Sequence, residues 1–137
     1  MTSKGFDIAR KFATALDNED WSTVRSLLSH TCEYRCRGRL ISGREAIVQS
    51  YRENAAWGRQ HLDGIQYASQ VTPRGDTSFS IMFTDKISVG RAEHIYRCTQ
   101  RVELDPDCRI ARITHRELPG QKAALNKFLK RYGFQRR

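Results

Sequence analysis

Apolar residues recur at helical spacing through Phe6 to Asp17, where Ile8, Phe12, Ala15 and Leu16 share a face with Ala9 and Ala13 beside them. Asn18 or Asp20 is placed to cap a second, short helix with the stripe Trp21, Val24, Leu27 and Leu28. The period then changes. From Thr31 to Arg37, Cys32, Tyr34 and Cys36 alternate with Glu33, Arg35 and Arg37, the pattern of a half-buried strand. Gly38 turns the chain into a brief returning strand, Arg39 to Ile41. Ser42-Gly43-Arg44-Glu45 has the form of a capping box, and a third helix follows with Ile47, Val48, Tyr51 and Ala55 on its buried side, ending near Gly58.

Four strands are predicted next, at about 61–72, 76–88, 91–104 and 109–117. Their turns are Pro73-Arg74-Gly75, Val89-Gly90 and Asp105-Pro106-Asp107-Cys108, each carrying residues that suit a tight turn. Folding the chain on these turns pairs Asp63 with Asp85, Asp85 with His94, Cys98 with His115 and Tyr96 with Glu117. Directly paired residues point the same way. One inner face therefore collects Ile65, Tyr67, Val71, Phe79, Ile81, Phe83, Ile87, Val102, Leu104, Ala111 and Ile113. The outer face collects Arg91, Glu93, Arg97, Arg101, Glu103, Arg112 and Arg116. After Leu118-Pro119-Gly120, a last helix is expected over Gln121 to Tyr132, with Gly133 as its stop.

Composition narrows the class. The chain has 137 residues, 39% hydrophobic and 28% charged, which fits one folded domain over 1–137 and excludes a disordered chain. No apolar run is long enough to span a membrane, and the opening MTSKGFDIARKF lacks a signal-peptide core, so a cytoplasmic location is expected. The net charge of +9 is spread thinly. Its one dense run is the tail from Lys127, with Lys130, Arg131, Arg136 and Arg137. No nucleic-acid motif accompanies it, so a solvated basic surface is expected rather than a nucleic-acid site. The four cysteines, Cys32, Cys36, Cys98 and Cys108, form no CxxC pair and read as small semi-buried side chains. Neither a metal nor a cofactor is expected.

The polar residues of the inner face carry the candidate chemistry. Two close carboxylates, Asp63 and Asp85, cannot both ionise freely. A histidine held by a carboxylate, here His94 with His61 nearby, is the usual general base. Tyr34 or Tyr96 is then placed to polarise a carbonyl or hydroxyl. The catalytic candidates are Asp85, His94, His61, Tyr34 and Asp63. The ligand-binding candidates are Asp17, Tyr67, Phe83, Tyr96, Cys98, Gln100, His115 and Glu117.

With L-D-N-E-D-W (16–21), I-S-G-R-E-A-I (41–47) and C-R-I-A-R-I-T-H (108–115), the order of elements resembles the NTF2-like superfamily, and within it the SnoaL-like proteins. That resemblance implies an α+β cone: a curved, mainly antiparallel mixed sheet wrapped around N-terminal helices, a pocket, and here an added C-terminal helix. It also implies a homodimer through the outer sheet face. Similarity to ketosteroid isomerases puts Phe12, Tyr34 and Gln100 at their functional positions; none keeps the chemistry of that family, and only Gln100 is still able to donate to an oxyanion. Similarity to polyketide cyclases puts His115 near their late-strand acid/base. Similarity to scytalone dehydratase-like proteins aligns Asp17, Tyr34 and His61. Two functions stay open: a cofactor-free lyase, isomerase or cyclase acting on a hydrophobic carbonyl compound, or a non-catalytic dimeric binding or adaptor domain.

Overall fold

The computed structural model describes residues 3–134. The tail residues Arg136 and Arg137 lie outside the described residues. In chain order the elements are α1 (Lys4–Asp17), α2 (Trp21–Leu27), β1 (Leu28–Cys36), β2 (Arg39–Ser42), α3 (Arg44–His61), β3 (Gly64–Pro73), β4 (Ser78–Val89), β5 (Ala92–Leu104), β6 (Ile110–Glu117) and α4 (Gln121–Arg131). The strands form one open sheet in the order β2-β1-β6-β5-β4-β3. All pairs are antiparallel except β1 with β6, which run parallel.

The helix stripes pack onto the inner sheet face. Ala9 and Phe12 of α1, Val24 of α2 and Ile47 of α3 meet Phe79, Ile81, Val102, Ile110 and Ile113 in one core. Each fully buried large side chain contributes about 1.5–3 kcal/mol. A second cluster caps one end of the sheet, where Leu125 and Leu129 of α4 cover Ile87, Tyr96 and Cys98. Ser3 and Asp20 cap α1 and α2 with side-chain oxygens, the second as the sequence predicts.

Three local expectations are corrected. The Ser42 capping box does not form: Gly43 is the N-cap of α3 and supplies no side chain. Ser42 is held in the ladder opposite Glu33, and Glu45 instead accepts a hydrogen bond from Arg25 Nε at 2.5 Å. The third helix does not stop at Gly58 but runs to His61. Gly58 is there for close approach, since a Cβ would meet Ile65 Cδ1 at 3.3 Å. Ala111 does not pair with Val102, because a bulge between Glu103 and Leu104 gives Leu104 to Ile110 and Val102 to Ile113.

The three hairpin registers also differ, by four residues in the first and two in the others, except past the bulge, where the shift at Leu104 is one residue. Pro73-Arg74-Gly75 is not a three-residue turn: Pro73 pairs with Phe79, so Asp85 lies opposite Tyr67 rather than Asp63. Phe79 lies in the core against Phe6, ring centroids 6.2 Å apart. The next turn is Gly90-Arg91, with Val89 paired to Ala92 and Gly90 at φ 60°, as a two-residue hairpin needs. Asp85 therefore faces Tyr96, and His94 faces Ile87. At the third turn Asp105 Oδ1 accepts from the Asp107 and Arg109 amides, and Cys98 faces Glu117 while Gln100 faces His115. An even slip keeps every side chain on its face, so the inner and outer walls are largely those the pattern predicts.

Phe79 is 1% exposed and packs where α1 crosses the sheet. Phe79→Ala is expected to lower stability by about 3–5 kcal/mol. Urea unfolding followed by circular dichroism checks this.

Candidate functional site

The open end of the sheet encloses a cavity of about 620 Å³ between the inner face and α1, α2, α3 and α4. Its apolar walls include Trp21, Ile41, Trp57, Phe83 and Leu125. The ladder explains its polar residues. Tyr67, Asp85 and Tyr96 are direct neighbours across β3, β4 and β5, so one row of the inner face carries a carboxylate between two phenols. The next row carries Ser69, Phe83, Cys98 and Glu117, and the row after it Val71, Ile81, Gln100 and His115.

A chain of hydrogen bonds crosses the wall formed by β1, β5 and β6. Tyr51 O–H of α3 donates to Gln100 Oε1 at 2.7 Å. Gln100 Nε2 donates to Tyr34 Oη at 3.2 Å and to His115 Nδ1 at 3.2 Å. His115 Nε2 donates to Glu117 Oε1 at 2.9 Å, which assigns the Nε2–H tautomer because the carboxylate can only accept. Glu117 also receives Tyr96 O–H at 2.5 Å and Arg37 Nη2 at 2.7 Å. Tyr34 accepts from Gln100, so its own proton is left to donate elsewhere, with Cys36 beside it.

Burial and these bonds set the charge states. Burial raises the Glu117 carboxyl, but the bonds from Tyr96, Arg37 and His115 together bring it down to about 2. Burial lowers His115, against the opposing pull of Glu117. Burial raises the Tyr34, Tyr51 and Tyr96 phenols well above their ordinary range, so all three are neutral donors. Asp17, at the end of α1, is raised by burial despite accepting Ser69 O–H at 2.6 Å. Burial, then the charges of Asp85 and Glu117, push the Cys98 thiol up to about 12, which makes it an inert thiol at neutral pH.

The expected cluster of Asp63, Asp85, His94 and His61 is not assembled. Asp85 lines the cavity, as do Asp17, Tyr34, Tyr67, Phe83, Tyr96, Cys98, Gln100 and His115. Glu117 stands behind His115 and Tyr96. Asp63, His61 and His94 are not part of the cavity lining. Asp63 accepts the Gly90 amide at 2.5 Å and ties β3 to the β4–β5 turn. His61 ends α3, stacked on Trp57 at 4.6 Å, with Nδ1 2.8 Å from the Trp57 carbonyl. His94 lies under α4, stacked on Phe128 at 5.1 Å, and its buried Nε2 has no hydrogen-bond partner among the described residues. Sequence reasoning missed Tyr51 and Arg37 as members of the site. The sign of Tyr51 was a hydroxyl on the apolar stripe of α3, since a buried phenol needs a partner. No group of three or more residues suited to hold a metal ion occurs among the described residues.

Neither a protein-family model nor a curated protein sequence matches the chain. Solved structures do match it in shape. An LEH-like epoxide hydrolase of Mycobacterium tuberculosis superposes with a TM-score of 0.64 at 19% identity, over 90% of this chain and 86% of that one. Another M. tuberculosis protein, solved in complex with estradiol-17β-hemisuccinate, gives 0.67 at 11% identity over 88% and 98%. The epoxide hydrolase/cyclase-like enzyme SalBIII, of pyran-ring formation in salinomycin, gives 0.67 at 10% over 86% and 93%. The chain has the NTF2-like fold. In this NTF2-like cone the sheet is curved and unclosed, and the 620 Å³ cavity occupies its hollow. No helix among the described residues is long and apolar enough to cross a membrane.

Glu117 gives the wired wall a pH signature. Its carboxyl is lower in the folded chain than its ordinary 4.5, so its contribution is fully present above 4.5 and is lost as pH falls towards 2. Glu117→Gln is expected to cost about 2 kcal/mol at neutral pH. The gap to the unsubstituted protein should shrink between pH 4.5 and about 2. Urea unfolding at a series of pH values checks both the size and the sign.

Proposed function

We propose that this chain binds a hydrophobic small molecule bearing a carbonyl or hydroxyl group and works on it by acid–base chemistry, as a cofactor-free lyase, isomerase or cyclase. The observation that carries this reading is the combination lining one cavity: aromatic walls, the carboxylates Asp17 and Asp85, and the neutral phenol Tyr34. A cavity of this size is in the range that encloses a drug-sized ligand. Asp17 is the base in this scheme, since burial raises its carboxyl and so strengthens it as a proton acceptor. Tyr34 donates to the oxygen on which charge develops, and the Gln100 amide fixes its orientation. Asp17, protonated in the first step, returns that proton at the end of the reaction, and Asp85, between Tyr67 and Tyr96, is the second carboxylate of the cavity.

A second reading, a non-catalytic binding domain, draws support from His115. Both its ring nitrogens are engaged, by Gln100 and Glu117, so it is not free to relay protons. Turnover separates the two readings. Self-association through the outer sheet face belongs to either, and exposed Met82 and Ile95 on that face favour it.

Both tryptophans of the chain, Trp21 and Trp57, line the cavity, so their fluorescence reports occupancy. A hydrophobic enone such as progesterone is expected to change it saturably. Tyr34→Phe should weaken that binding about tenfold by removing one donor. Asp17→Asn should retain binding and abolish any isomerisation of an enone substrate. A panel of hydrophobic carbonyl compounds that neither binds nor turns over would sink the reading.

A further inference from the structure

The cations that line the cavity are unevenly placed. Arg37 and Arg39 flank the turn between β1 and β2, and Lys122 lies in the first turn of α4. These elements meet at one end of the sheet. Arg37 reaches Glu117 at the end of β6, and both Arg37 and Lys122 act electrostatically on His115. Arg39 is exposed at the rim of the cavity and has no side-chain hydrogen bond or ion pair among the described residues.

Lys122 stands against the usual preference of a helix start. The first turn of α4 contains no acid, and its N-cap, Gly120, offers no side-chain acceptor. The positive end of the helix and the ammonium group therefore add, where an aspartate or glutamate would ordinarily offset the dipole. Local rules broken together in this way are expected at functional positions. The lining acids come from other elements. Asp17 ends α1 and takes the Ser69 hydroxyl, Asp85 sits on β4, and Glu53 on α3 accepts a hydrogen bond from Gln49.

Resting on the small-molecule reading above, we infer that the cavity takes an amphipathic anion. Its apolar body lies in the hollow, and its carboxylate or phosphate head is held between Arg37, Arg39 and Lys122. Arg37 already gives Nε and Nη2 to Glu117, which orients the guanidinium and leaves its remaining donors for the head. Arg39 supplies a further cation, and the start of α4 adds the positive end of its dipole.

The test compares decanoate, decyl phosphate and decan-1-ol by tryptophan fluorescence at low and high salt. At least one of the two anions should bind about tenfold or more tighter than the alcohol at low salt, and the preference should fall as salt rises. The better anion tells a carboxylate from a phosphate ligand. Combining Arg39→Gln with Lys122→Gln should reduce the anion-to-alcohol ratio about tenfold. Arg112→Gln, which removes a charge from the outer face, should leave that ratio unchanged. Equal binding of alcohol and anions, or an equal fall in the Arg112 variant, overturns the anion site while the cavity reading stands. Absence of binding by all three probes overturns both.

Discussion

Gln100 is a neutral amide only 4% exposed, and the geometry around it follows from what a buried amide requires. Its oxygen needs a donor and both its amide hydrogens need acceptors. The three partners come from three elements: Tyr51 from α3, Tyr34 from β1 and His115 from β6. An unmet partner would cost about 1–3 kcal/mol. Meeting all three fixes how α3 crosses the sheet and how β1 sits beside β6. It also selects the tautomer of His115, and through it the contact with Glu117. The Tyr34 and Tyr51 rings pack edge to face at 5.6 Å, so the same two phenols that complete the amide also fill the space above it.

The cavity is polar on one wall because the network is built into that wall, and the helix stripes add the apolar Leu16, Trp21, Ala55 and Trp57 to its other walls. Glu117 stays ionised at the edge of this apolar volume through three bonds that together overcome its burial. Beside it, α4 closes the cone by covering Ile87 and Tyr96. His94 is caught under that helix, its buried Nε2 without a partner among the described residues, which is a local cost set against the stacking of Phe128 and the burial of Leu125 and Leu129.

The sequence pattern revealed the elements, the order of helices and strands, and the inner and outer faces, because these depend on periods of 3.6 and 2 that every residue repeats. Neighbours across the sheet were not legible, because a register depends on which bulky side chain wins the core. β4 sits four residues away from the register that the turn chemistry suggests, and Asp85 goes with it from Asp63 to Tyr67, a slip that leaves the inner and outer pattern unchanged. The loss of His94 from the site had another cause. Its strand position was correctly assigned to the inner face, but coverage by Phe128 is a contact from a distant helix that no local pattern records. Gln100 and His115 were recognised as pocket residues, while their bonding to each other emerges only from the true register, where they are paired directly.

The even-numbered register shifts have a consequence for how such a cone can change. Lengthening or shortening a hairpin loop by two residues slides one strand past the next without turning any side chain over. The hydrophobic lining stays a lining and the outer surface stays a surface, yet every cross-strand acquaintance is exchanged. Asp85 beside Tyr67 and Tyr96 could in this way be traded for Asp85 beside other partners with no core residue replaced. Loop length in this architecture therefore works as a combination dial, able to regroup the chemistry of the hollow while the container keeps its shape.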